Sequence, residues 1–234
     1  MSFHVSEARD IALRMSNNQE DEEGLVEAFT QICIFLNSNL EYLTSQSRTH
    51  QLSTLNNVVI QKLASKYFDA YHRSDFPGVS GATPDYVVGL VMMEVFDYSQ
   101  IDVERIVLEH QRAMSAENCV GVLLERYIDS VLRRHGWCWC CGNFVKAVDF
   151  IKSDQEGRWL LLQVKNRDNS ENSSSSAIRN GTTIQKWFRT FSRTGATNWH
   201  NLPSLMQGYG LSEEGFVHFI RTYLRRKKHK RNLK

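Results

Sequence analysis

Residues 144–165 read FVKAVDFIKSDQEGRWLLLQVK. Two runs of β-branched, aromatic and aliphatic residues, Phe144–Ile151 and Trp159–Lys165, flank a short polar connection that contains Gly157. Their composition predicts two strands. The spacing predicts a hairpin closed by the three-residue loop Gln155-Glu156-Gly157, with glycine in the left-handed position. That register sets Asp154 opposite Arg158 and Asp149 opposite Gln163. Side chains alternate along a strand, so Gln163 and Lys165 share one face and Val164 points away. Runs this apolar belong to buried central strands. An Asp, a Gln and a Lys in such company are costly to bury without partners or a task. The alternative to a task is a structural Asp–Lys ion pair.

The chemistry available to the three is specific. A carboxylate, an amide oxygen and a main-chain carbonyl are hard oxygen donors suited to Mg²⁺. A lysine beside such an ion can orient or help deprotonate a water and can stabilise charge on a phosphate. Asp149 and Gln163 are therefore the candidate metal ligands, and Asp149, Gln163 and Lys165 the candidate catalytic residues. Glu125, on the helix that precedes the hairpin, is the candidate to replace the charge that a neutral Gln163 lacks. Glu117, eight residues earlier, is the reserve.

Outward from the hairpin, the first half of the chain reads as helical. Leu25, Ala28, Phe29, Ile32, Phe35 and Leu36 recur at steps of three and four, predicting an amphipathic helix from Gly24 to about Leu43. Leu55, Val58, Val59, Leu63, Tyr67 and Phe68 predict a second over Ser53–Tyr71. Residues 73–85 hold two of the three prolines and read as a loop. Thr83-Pro84-Asp85 then starts another helix. Asp102–Met114 is predicted as a helix, and a separate one runs from Ser115 to a stop at Gly136. Beyond the hairpin, Ile184–Phe191 is read as a short amphipathic helix and Ser212–Lys228 as a final one, capped by Ser212 with Glu213 and Glu214 in its first turn. The expected fold is α/β in the α+β sense: a helical subdomain over residues 1–114, then a core with a central mixed sheet flanked by helices over 115–234.

Charge is divided unevenly. Residues 1–118 hold 8 Lys+Arg against 17 Asp+Glu, and residues 119–234 hold 20 against 9, although the net charge is only +2. A basic half of this kind suits a polyanion, most often nucleic acid. The tail RRKKHKRNLK supplies 7 of those 20, and residues 119–224 keep an excess of +4 without it. Cys138, Cys140 and Cys141 form C-x-C-C with no second pair, so they read as structural thiols rather than a zinc site. Cys33 and Cys119 read as buried thiols. Hydrophobic content of 41% and charged content of 23% are those of a soluble globular chain. No apolar run approaches a membrane span, and no secretory signal stands at the start, so a cytoplasmic location is expected.

The order of motifs adds a resemblance. A helix carrying glutamate, then VDF, then a strand ending in QVK, resembles the PD-(D/E)XK nuclease superfamily, with Val148 in place of the usual proline and Gln163 in place of the usual acid, as in its QxK variants. The fuller string, VDFI, then LLQVKNRDNSENSSSSAIRNGTTIQKWFR, then TGATNW, looks like the SinI family of type II restriction endonucleases. The likeness is carried by residues 117–203. It implies a restriction-endonuclease-like core and Mg²⁺-dependent cleavage of double-stranded DNA at a short palindrome, GGWCC in that family. It further implies a homodimer and a companion DNA methyltransferase that protects the same site. DNA contacts are expected from the polar loop 166–181 and the segment 186–199. Arg167, Asn169, Asn172, Ser174, Arg179, Asn180, Lys186, Arg189, Arg193 and Asn198 are the candidates, because Arg and Asn pair with base edges and Ser donates to phosphates. Trp187 and Trp199 read as core. The alternatives are an Mrr-like or resolvase-type nuclease, a DNA-binding protein with an inactive site, and an RNA-binding protein.

Overall fold

The computed structural model describes residues 3–16, 23–44, 54–73, 75–77, 85–168 and 182–232. Six helices are present among them: α1 Val5–Met15, α2 Glu23–Ser38, α3 Asn57–His72, α4 Tyr86–Phe96, α5 Gln100–Leu132 and α6 Glu213–Asn232. Four strands accompany them: β1 Cys138–Trp139, β2 Phe150–Ser153, β3 Trp159–Arg167 and β4 Gln185–Thr190. The fold is mixed α+β and restriction-endonuclease-like.

The chain forms two compact units. One comprises residues 1–73 and 125–219, the other 74–124 and 220–234. The expected boundary at residue 114 falls inside α5, because the two helices read on either side of it are one helix of 33 residues.

In the first unit the sheet has the order β1-β2-β3-β4. The first two pairings are antiparallel and β3 with β4 is parallel. Phe150 faces Leu162 and Ser153 faces Trp159, the register expected from the hairpin. The turn holds itself: Asp154 Oδ1 accepts from the amides of Glu156 and Arg158, at 2.9 and 2.8 Å, and Gly157 sits at φ +77°. Leu161, Leu162, Gln163 and Val164 are all buried, as a central strand requires. Helix α2 joins helices and sheet in one core. Phe29 packs on Tyr67 of α3, with ring centroids 5.4 Å apart, and Phe35 meets Trp159 of β3 edge-on at 5.3 Å. The N-terminal helices α1–α3 thus share a core with the hairpin.

Two further elements differ from the sequence reading. The expected strand Phe144–Ile151 is extended sheet only from Phe150, because Asn143 (φ 58°) and Ala147 (φ 56°) bend the backbone before it. The expected helix Ile184–Phe191 is β4, paired from Leu162↔Gln185 to Arg167↔Thr190. β1 follows soon after α5, in the cysteine-rich stretch.

In the second unit, Asp85 caps α4 by accepting from Val87 N at 2.9 Å. Gly89 of α4 lies against Val103 of α5, where an added Cβ would come within 3.1 Å of Val103 Cγ1.

Candidate active site

Asp149 stands at the start of β2, fixed on both main-chain sides. Its N–H donates to Leu162 O at 2.9 Å, and its carbonyl accepts from Cys140 N at 2.8 Å. Its Oδ2 accepts from Val164 N at 2.7 Å. Oδ1 accepts no hydrogen bond among the described residues. Burial pushes the Asp149 carboxyl above the usual carboxylate range; the Val164 hydrogen bond and the Lys165 ammonium act against that rise. Gln163, 2% exposed, lies on β3 in the position opposite Asp149 when the β2–β3 register is extended by one residue. Lys165 is two residues along the same strand face, half-buried, and within electrostatic reach of Asp149. The hairpin therefore brings Asp149, Gln163 and Lys165 together.

Glu125 belongs to the last turns of α5. Trp139 Nε1 donates to its Oε2 at 2.8 Å. Asp149 and Glu125 both act electrostatically on the buried Cys140 thiol, which is held well above its ordinary value chiefly by burial. Two carboxylates thus flank one end of the β1–β2 pair. Glu117 is exposed, eight residues earlier on α5. Burial pushes the Cys138 and Cys141 thiols up to about 12, so neither presents a thiolate at neutral pH. Cys33 and Cys140 are likewise buried, whereas Cys119 is half-buried.

β4 organises the segment beside the hairpin. Lys186 pairs with Gln163 in the β3–β4 register and is half-buried. Arg189 is taken up within the protein. Its Nε donates to Asn166 Oδ1 at 2.9 Å, its Nη1 donates to Glu213 Oε1 at 2.6 Å, and its guanidinium lies 5.2 Å from the Phe216 ring. The other Glu213 oxygen accepts from Trp199 Nε1 at 2.5 Å. Asn198 is buried; its Nδ2 donates to Phe188 O at 3.0 Å and its Oδ1 accepts from Asn201. Arg167 ends β3 and Arg193 lies in the turn after β4, both exposed. Asn169, Asn172, Ser174, Arg179 and Asn180 lie outside the described residues.

Sequence reasoning missed two positioning contacts. One is the Trp139–Glu125 hydrogen bond, whose sequence signal was a tryptophan set among cysteines. The other is Asp168, which accepts from both the amide and the hydroxyl of Ser192, tying the end of β3 to the turn after β4. No local pattern reports a contact across 24 residues.

A helix-flanked mixed sheet, with an aspartate, a glutamine and a lysine gathered where its hairpin begins, defines a protein of the restriction-endonuclease-like class. Comparison with known proteins narrows the class. A model of the SinI restriction endonuclease family matches residues 8–226. The chain is 41% identical to the type II restriction enzyme SinI of Salmonella infantis over 225 residues, 96% of this chain and 97% of that one. It is 54% identical to the type II restriction enzyme Eco47I of Escherichia coli over 142 residues, 60% of this chain and 62% of that one. The chain belongs to the SinI restriction endonuclease family.

Proposed function

We propose that this chain hydrolyses phosphodiester bonds in double-stranded DNA with Mg²⁺, at a short palindromic site for which GGWCC is the family expectation. It would act as a homodimer, beside a methyltransferase protecting the same sequence. The observation that carries the reading is the hairpin juxtaposition of Asp149 and Lys165. It leaves one carboxylate oxygen open and one cation in electrostatic reach. The donor set fits a hard divalent cation. A buried carboxylate whose charge the protein itself disfavours gains from a positive ion, and Oδ1 is open to one. Asp149 and Gln163 would hold the ion, with Glu125 supplying the second negative charge nearby. A bound Mg²⁺ supplies Lewis-acid stabilisation of the phosphate charge.

The chain's own groups do the rest. Lys165 Nζ orients the attacking water and offsets charge that builds on the phosphoryl oxygens. The Val164 amide fixes the Asp149 carboxylate, so its open oxygen is already placed. Trp139 holds Glu125 in the same way. The basic charge of residues 119–234 draws the duplex in, and Lys186, Arg167 and Arg193 are the proposed contacts among the described residues. Asn169, Asn172, Ser174, Arg179 and Asn180, outside the described residues, are the proposed base readers.

Incubating unmethylated plasmid with the protein, with Mg²⁺ and with EDTA, tests the reading. Discrete fragments that require Mg²⁺ are expected, and Asp149→Ala should reduce their rate at least ~100-fold, the scale of losing one group in a metal or charge-stabilising site. Plasmid left intact but retarded at low salt would instead make this an inactive DNA-binding protein.

A further inference from the structure

The β3–β4 register sets a second lysine in the candidate site. The Cα partner of Gln163 on β4 is Lys186, and that of Lys165 is Phe188. Partners on neighbouring strands stand on one face of a sheet, because the pleats run in step. The opposite face shows the same rule: Arg189 and Asn166, which this register sets side by side, meet in a hydrogen bond of 2.9 Å. Asp149, with the β2–β3 register extended by one residue, Gln163 and Lys186 therefore form one row across three strands. Lys165 and Phe188 form the next row on the same face. Strands lie ~4.8 Å apart and alternate residues ~6.6 Å along, so the two lysines leave the sheet ~8 Å from each other. Lys186 is half-buried, beside a Gln163 that is 2% exposed, whereas Arg167 and Arg193 are exposed.

We infer that Lys186 is a catalytic residue, a second ammonium that meets the scissile phosphate from β4 while Lys165 meets it from β3. The inference rests on the proposed function. Two features separate Lys186 from an ordinary phosphate contact. It stands in the row of the metal-binding candidates, not on the exposed rim. Its partner across the strands is an amide. A glutamate at position 163 would face the Lys186 ammonium one strand spacing away and pair with it. Gln163 instead offers an oxygen to the ion and leaves the charge of Lys186 for the phosphate. The charges then match. Asp149 and Glu125 balance a bound Mg²⁺, and two lysines remain. As the water oxygen bonds to phosphorus and gives up its proton, the phosphoryl oxygens pass from one negative charge toward two. When the bridging P–O bond breaks, that charge goes to the departing oxygen, which takes up a proton. A cation that answers charge built during the step acts on rate more than on binding.

Single-turnover cleavage with Mg²⁺ at saturating protein, on a duplex carrying the sequence mapped from the plasmid fragments, reads the rate. Fluorescence anisotropy of the same duplex in EDTA reads affinity. Lys186→Met keeps an apolar stem and drops the charge. It should lower the saturated rate at least ~100-fold while weakening affinity less than ~10-fold. Lys186→Gln should do the same and serves if the methionine variant melts early. Lys186→Arg, which returns a cation, should cut at least ~5-fold faster than either. A saturated rate within ~3-fold of the parent's for both neutral variants overturns the proposal. If affinity falls at the same time, Lys186 is an ordinary phosphate contact. Melting in EDTA tests the placement without cleavage. Gln163→Glu buries a carboxylate beside Lys186, so it should lower the melting temperature by at least ~3 °C more in the Lys186→Met background than in the parent. Equal losses take Lys186 out of the row and overturn the proposal as well. A parent that shows this coupling but does not cut refutes the nuclease reading and the catalytic role with it. A parent that cuts, with neutral variants that cut as fast, refutes the role of Lys186 alone.

Discussion

Burial holds the Asp149 carboxyl above the usual range, so ionising it works against the folded state. The linkage has a definite sign. Below the ordinary carboxylate pKa, folded and unfolded chains are both protonated and no penalty exists. As pH rises, the unfolded chain releases its proton first, and stability falls until pH has passed the raised folded-state value. Asp149→Asn removes the titration yet keeps an oxygen to accept from Val164 N. In EDTA the variant should therefore melt at a higher temperature than the parent near neutral pH, with the difference shrinking as pH falls below the ordinary carboxylate range. Adding Mg²⁺ should raise the parent's melting temperature and leave the variant's unchanged. Equal melting curves for the two proteins at every pH would mean that the aspartate is not disfavoured in the fold. Asp149 and Lys165 stand out in the sequence because their charge contradicts an apolar strand. Arg189 and Asn198 have side chains of the kind that suit base edges. Which side chains a fold takes for itself depends on partners far along the chain, here Glu213 for Arg189 and the Phe188 carbonyl for Asn198.

At the scale of elements, the hairpin was readable because everything that sets it is local: β-prone runs, an Asp154 that caps its own turn, and a glycine at φ +77°. β4 was not. The run IQKWFRTF satisfies helical and extended spacing equally over so few residues, and the deciding factor is a parallel partner, β3, earlier in the chain. Around Ser115 a serine followed by acid and amide residues imitates a helix start, yet α5 continues through it. The segment before Asp149 has strand-like composition, but Ala147 turns left-handed and its β-propensity goes unused. Trp187 carries the consequence of the β4 assignment. It is 2% exposed, its ring lies 4.7 Å from that of Trp199, and its Nε1 donates to Asn198 O at 3.2 Å. Trp187→Ala should cost about 3–5 kcal/mol in urea unfolding, and Trp187→Phe appreciably less. A loss below ~1 kcal/mol for the alanine would contradict a buried strand at this position.

At the scale of the molecule, the second unit brings both signs of charge to the proposed encounter with DNA, since its segment 74–124 is acidic and its segment 220–234 is basic. The segment 74–124 carries eight acidic and two basic residues. α6 begins with Glu213 and Glu214 and proceeds to Arg225, Arg226, Lys227 and Lys228, an order that its dipole favours at both ends. Lys227 lies 5.3 Å from the Tyr223 ring, while Arg225 and Arg226 are exposed and open to a phosphate. Charges of this kind add affinity without reading sequence. Replacing the four by glutamine should therefore weaken binding to specific and unrelated duplexes alike. Each lost phosphate contact lowers the slope of log K against log salt by ~0.9, so the slope should flatten by up to ~3–4. Cleavage at low salt should keep its sequence preference, because the proposed readers fall within residues 169–180, well before α6 in the chain. Fluorescence anisotropy across a salt series makes the measurement. An unchanged slope would show that these residues do not touch DNA, and would return the basic excess of residues 119–234 to the strands and loops around the hairpin.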